Sequence, residues 1–135
     1  MTKSVPVTVP VLSTGIPLQK SISHQIPDGE GSTVLTIFKV PPGRRLVIED
    51  ASIQGELPQG QVLGLGILTT VGSDTVINFV GTASAPPGTV IMQTGRAVRF
   101  YADPGSDVQI QWWRTGTSGE AGFTAAISGC LTAIT

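Results

Sequence analysis

The stretch 96–114 limits the fold more than any other. It reads Arg96-Ala97-Val98-Arg99-Phe100-Tyr101-Ala102, then Asp103-Pro104-Gly105-Ser106, then Asp107-Val108-Gln109-Ile110-Gln111-Trp112-Trp113-Arg114. On each side of the Pro-Gly pair apolar and polar residues alternate, the period of a strand with one face buried. Alternation sends Val98, Phe100 and Ala102 to one face and Arg99 and Tyr101 to the other. It turns Val108, Ile110 and Trp112 inward and Gln109, Gln111 and Trp113 outward. As a hairpin, the two arms share a face only if paired residue numbers sum to an even value. A bare two-residue turn would set Tyr101 against Val108. A three- or five-residue loop or a bulge is therefore expected, with Pro104 presetting φ and Gly105 supplying a positive one.

The rest of the chain agrees with strands. Nowhere do apolar residues recur at the helical spacing of three and four, so no helix is expected. Thr33–Val40 is apolar on both faces, with Val34, Phe38 and Val40 on one and Leu35 and Ile37 on the other. Arg44–Ile53 is strand-like, but its parity breaks at Glu49-Asp50, where a bulge is expected. In Gln61–Val71, Leu63, Leu65 and Ile67 alternate with Gly64 and Gly66, a smooth strip that another backbone or sheet could approach. Thr75–Val80, Thr89–Thr94, Phe123–Ile127 and Cys130–Ile134 complete the set, while residues 13–32 read as irregular with a short strand around Ile22–Ile26. Pro-Pro-Gly at 41–43 and again at 86–88 launches a strand each time, which suggests two similar halves. Two Greek keys folded together make a jelly roll. The predicted fold is all-β, a jelly-roll-like antiparallel sandwich of eight to ten strands spanning residues 13–135.

Residues 1–12 are predicted to be an extended arm. Pro6 and Pro10 remove donors from one strand edge, the edge served by Thr8. Val5, Val7, Val9 and Val11 keep the opposite edge intact. Such a segment can pair on one side only. It is an edge strand of its own subunit, a frayed tail, or an arm given to a neighbouring copy.

Composition narrows the function by exclusion. The chain has 135 residues, enough for one domain with its own core. Charged residues are 13% and the formal net charge is −1, with no basic block for nucleic acid and no apolar run for a membrane span. The start, Met1-Thr2-Lys3-Ser4, lacks the apolar core of a signal peptide, and a soluble protein, extracellular or particle-associated, is expected. A surface this poor in charge suits a protein that hides much of itself against other copies. Cys130 is the only cysteine, so no internal disulfide forms, and it reads as a buried, inert thiol. His24 is the only histidine and reads as a solvated or hydrogen-bonded loop residue, so a histidine-based metal site is excluded. Asp28, Glu30, Asp74, Asp103, Asp107 and Glu120 fall at turns, where turn chemistry accounts for them. Glu49 and Asp50 are adjacent in a strand and point to opposite faces, so they form no catalytic pair between themselves. No cofactor, no metal and no enzymatic activity are expected.

The ending Gly122-Phe123-Thr124 through Ile127-Ser128-Gly129-Cys130-Leu131-Thr132, with Asp107-Val108-Gln109-Ile110, resembles the last strands of the C1q/TNF-like jelly rolls. There a Gly-Asp-Val strand precedes a closing aromatic-Ser-Gly-aromatic-Leu strand. The match departs at Cys130, where that family has an aromatic, and the chain is poor in the aromatics that fill that family's trimer axis. The resemblance implies a homotrimer of β-sandwiches with a binding role and no catalysis.

The outward set Arg99, Tyr101, Gln109, Gln111 and Trp113 is the candidate site. Trp and Tyr ringed by Arg and amides are what protein interfaces enrich. The same set could stack on the apolar face of a sugar, or be covered by the chain's own arm. The reading is a self-associating structural subunit, a trimer favoured, with a carbohydrate-binding lectin-like module as the alternative.

Overall fold

The computed structural model describes residues 15–134. The expected arm, with Val5, Val7, Val9 and Val11, lies outside the described residues. Eight strands follow in order: β1 (Ile16–Ile26), β2 (Ser32–Lys39), β3 (Arg44–Glu56), β4 (Val62–Val71), β5 (Asp74–Ser84), β6 (Ile91–Ala102), β7 (Asp107–Arg114) and β8 (Ala121–Ala133). They form two antiparallel four-stranded sheets, ordered β1-β8-β3-β6 and β2-β7-β4-β5. Every connection except β4–β5 crosses from one sheet to the other, which is the jelly-roll winding. Both Pro-Pro-Gly turns make such a crossing, β2 to β3 and β5 to β6.

That winding overturns the expected hairpin at 96–114. Both arms are strands, but β6 pairs with β3 while β7 pairs with β2 and β4. Asp103-Pro104-Gly105-Ser106 bridges the two layers. Gly105 does supply the positive φ, +77°, and the Ser106 amide donates to the Asp103 carbonyl at 3.2 Å to close the turn. The inward residues meet across the core instead of along one sheet. Val108, Ile110, Trp112 and Ala102 are buried, with Val98 and Phe100 packed against them.

Three local readings change with the real pairing. Residues 16–26, expected to be mostly irregular, form a full strand because β8 supplies partners from Ile16 through Ile26. Phe123–Ile127 and Cys130–Ile134 are one strand, since Gly129 lets β8 continue flush against β3. A Cβ there would collide with the Val47 carbonyl. In β2 the expected two faces are rearranged by a bulge at Ile37. Leu35 pairs with Ile110 and Phe38 with Val108, so both turn inward while Val34 points out. The bulge expected at Glu49-Asp50 is present in β3. It exposes both carboxylates, where strict alternation would have sent them to opposite faces.

Each end of the sandwich is tied by one charged side chain. At the end carrying the β1–β2, β3–β4 and β7–β8 loops, Arg114 is 6% exposed. It donates to the carbonyls of Glu30 (2.8 Å), Thr117 (2.9 Å) and Pro27 (3.3 Å) and to Gln61 Oε1 (3.2 Å). Nearby, Asp28 Oδ1 accepts from the Gly119 amide at 2.7 Å.

At the other end Asp103 Oδ2 accepts from the Gly72 amide at 2.7 Å, and Oδ1 accepts from Arg45 Nε at 3.0 Å. The Gly72 amide, then Arg45, hold its carboxyl below the ordinary carboxylate value. A folded-state pKa that is lowered contributes stability above the unfolded value, lost as the pH falls through the folded one. Asp103→Asn is therefore expected to lower stability at pH 7 and to narrow its gap to the parent below about pH 4. Urea midpoints measured from pH 7 to pH 2 check this, and a gap that stays constant would contradict it.

Candidate interface surface

The five outward residues of the sequence reading do not form one site. Arg99 and Tyr101 lie on β6, at the rim of the first sheet, while Gln109, Gln111 and Trp113 lie on β7, inside the second. The two groups occupy opposite outer faces of the sandwich. Tyr101 is exposed in a row with Val47, Cys130 and Pro17. Arg99 is a cation beside Tyr101 on this rim, its pKa raised above the ordinary value chiefly by Tyr101. The aromatic platform for a sugar, which needed Tyr101 beside Trp113, is not assembled.

Cys130 also differs from expectation. It is half-buried on the outer face of the first sheet, because inward Leu131 fixes the parity of β8. His24 sits on β1, not in a loop. Its Nε2 lies 2.6 Å from Glu30 Oε1, and its ring packs against Trp112 and Phe123 at centroid distances of 5.6 and 5.8 Å. Trp112 in turn donates to Thr33 Oγ1 at 2.8 Å. Among the described residues no three His, Cys, Asp or Glu side chains cluster as metal ligands.

The outer face of the first sheet carries shallow troughs. The first, about 520 Å³, is lined chiefly by Gln19, Ser21, Asp50, Ser52, Ala126 and Ser128. Asp50 is its single carboxylate, and it shares the trough with Lys20 and with no second acid, histidine or cysteine.

The outer face of the second sheet is built differently. Its rows run Ser32–Trp113–Gly64–Thr82, Val34–Gln111–Gly66–Phe79 and Thr36–Gln109–Leu68–Ile77. The glycine strip in β4 is not left open to another molecule. A Cβ on Gly64 would collide with the Trp113 indole, and one on Gly66 with Ile77, so each glycine is filled from a neighbouring strand. Trp113 then lies beside Phe79, ring centroids 5.9 Å apart and tilted 31°. Gln109 donates to Thr36 Oγ1 at 3.4 Å. Phe79 is 55% exposed, Ile77 50% and Val34 47%. The charges in these β2–β7 rows are Lys39 and Asp107, paired with each other at 3.9 Å at one corner. The face is thus apolar and amide-bearing across four strands.

Trp113 was legible as outward and aromatic. Phe79 and Ile77 were not singled out, because only the pairing of β5 with β4 brings them beside Trp113. Arg114 was missed altogether: a strand-end arginine looks solvated until the loops close over it.

No family model matches the chain, and no curated protein does. Solved structures do. The chain is similar to one from the acid-stable capsid of Helicobacter pylori bacteriophage KHP30, with a TM-score of 0.53 and 10% identity over 89% of this chain and 94% of that one. It is also similar to one from the capsid asymmetric unit of cyanophage Pam1, with a TM-score of 0.55 and 12% identity over 86% of this chain and 85% of that one. At this identity the likeness shows the fold: the architecture is the jelly roll seen in viral capsid proteins.

Proposed function

We propose that the chain is a non-enzymatic structural subunit that associates with other copies of itself, in the manner of a particle shell. The observation that carries this reading is the outer face of β2-β7-β4-β5, charged in its β2–β7 rows only at the Lys39–Asp107 corner, with Trp113, Phe79, Ile77, Leu68 and Val34 on it. Apolar residues grouped on an exposed sheet mark a surface for association. Strands about 4.8 Å apart and residues rising about 3.3 Å make such a face roughly 500 Å² in projection. With side-chain relief that approaches the ~800 Å² per partner of a stable interface. The likeness of nearly the whole fold to two phage capsid chains supports the same reading. Three copies, implied by the C1q/TNF-like closing strands, is the number we favour.

Static light scattering at micromolar concentration tests it. The expected native mass is a multiple of the 14.0 kDa chain. A monodisperse monomer would overturn the proposal.

A further inference from the structure

We infer that the free edge of β5 is a receptor for the N-terminal arm of a second copy, residues 5–11, which adds to the second sheet as an antiparallel strand. This rests on the self-association reading and names the segment and the edge that carry it.

A two-sheet sandwich has four edge strands, and exposed edges invite pairing unless charge, proline or a bulge guards them. Three are guarded here. β1 carries Pro17 and Lys20, β2 carries Lys39 and the bulge at Ile37, and β6 carries Arg96 and Arg99. β5 is different: its one charge, Asp74, sits at the β4–β5 turn, and from Thr75 to Ser84 it has no charged residue and no proline. Its farther half is shielded, since its pairing with β4 is irregular around Val80 and Arg96 Nη1 donates to the Val80 carbonyl at 3.2 Å. Residues 75–79 remain open. Val76 is 50% exposed toward one face, and Ile77 (50%) and Phe79 (55%) toward the other.

The register identifies the available groups. The β4–β5 turn has two residues, Gly72 at φ +62° and Ser73, between the paired Val71 and Asp74. Such a turn is closed by a hydrogen-bonded pair, and bonded and non-bonded pairs alternate from there. Thr75, Ile77 and Phe79 therefore fall at the non-bonded positions. Their N–H and C=O groups point away from β4. The Thr70 and Thr75 hydroxyls lie 2.7 Å apart, as the closer spacing of a non-bonded pair allows. No strand takes this edge within the described residues.

The arm offers the complement. Val5, Val7 and Val9 present N–H and C=O groups at the same two-residue spacing, and Pro6 and Pro10 leave the other edge unable to pair regularly. Antiparallel pairing sets Val5 against Phe79, Val7 against Ile77 and Val9 against Thr75. It lays the valines beside Ile77 and Phe79 on the outer face, and brings Pro6 and Thr8 beside Asn78 and Val76. The proline edge then ends the sheet, so one arm fills one site and the pairing does not propagate sideways.

The chain's own arm is the competing occupant. β1 and β5 lie at opposite sides of the two sheets, separated by about three strand spacings of ~4.8 Å and one sheet gap of ~10 Å, roughly 17 Å in a straight line. From Val9 to Gly15 the chain spans about 20 Å at most. That leaves little slack to pass around the turns at 41–43 and 103–106, whereas a neighbour's arm meets no such limit.

Disulfide trapping distinguishes the cases. With Cys130→Ser throughout, Thr8→Cys in one protein and Val76→Cys in another form a non-bonded pair with Cα atoms about 4.5 Å apart, suited to a disulfide. Mixing the two under mild oxidation is expected to give a disulfide-linked dimer at least tenfold above either protein alone. Ile77→Lys, which guards the edge at any register, is expected to lower both the trapping and the association about tenfold. A doubly substituted chain that closes only on itself would assign the edge to the chain's own arm and overturn the inference. No disulfide, with a native mass still several chains and untouched by Ile77→Lys, would overturn the inference and leave the self-association reading standing. A monomer without the disulfide would overturn both.

Discussion

Arg114→Met is expected to cost about 3–5 kcal/mol of folding free energy, a loss at the upper end of what single substitutions produce. The guanidinium is buried and has no carboxylate partner among the described residues. Its charge is solvated by three backbone carbonyls, those of Pro27, Glu30 and Thr117, and by the Gln61 amide oxygen. Methionine would keep much of the stem's volume and remove every donor. Each acceptor left buried without one costs about 1–3 kcal/mol, less where the loops can readmit water. Three loops lose their common anchor at once: 27–31 between β1 and β2, 57–61 between β3 and β4, and 115–120 between β7 and β8. Arg114→Lys keeps the charge but only a point donor group, so it should recover part of the loss. Urea unfolding of the three proteins measures this. A loss under about 1 kcal/mol for the methionine variant would show that the clamp is incidental.

Trp113→Ala is expected to weaken association by about 2–4 kcal/mol, a factor of roughly 30 or more in the dissociation constant. The indole is the broadest side chain on the outer face of the second sheet, seated over Gly64 and beside Phe79. An aromatic already held by its own sheet loses little freedom when a partner covers it, which favours it as an anchor. Truncation opens a hollow over Gly64 between the two middle strands, in the row nearest the Arg114 end of that face. Association is to be measured by sedimentation or light scattering over a dilution series, and fold stability separately by thermal unfolding. Tyr101→Ala is the control, because Tyr101 lies at the rim of the other sheet. Its association should match the parent's. An equal loss for both variants would contradict the assignment of the interface to the second sheet.

That control marks where sequence and structure part. Whether a residue turns in or out follows from local alternation, so Val108, Ile110 and Trp112 could be placed inside and Trp113 outside from the sequence. The positive φ of Gly105 follows from turn chemistry, and the bulge at Glu49 from a parity break, for the same local reason. The turn role of Asp103 was legible too, though not the Gly72 amide and Arg45 that it binds. Which strand lies beside which is another matter. Backbone hydrogen bonds are the same for every strand, and alternation states which face is buried without stating against what. Consecutive strands were therefore expected to pair along 96–114, whereas the winding sends β6 and β7 to different sheets and separates Tyr101 from Trp113. Only the Ile22–Ile26 end of β1 was expected as a strand, because apart from Ile16 its exposed positions are polar or proline, and β8 supplies the pairing that extends it to Ile16. Arg114 acquires its role only when three loops far apart in sequence converge on it, and Phe79 joins Trp113 only through the register of β5 on β4. The sequence by itself determined the strands, most of their faces and the shape of several turns, because these depend on residues within a few positions of one another. The tertiary structure alone decided the partners, and with them the surface and the clamp, because those depend on which strands the closed sandwich brings together.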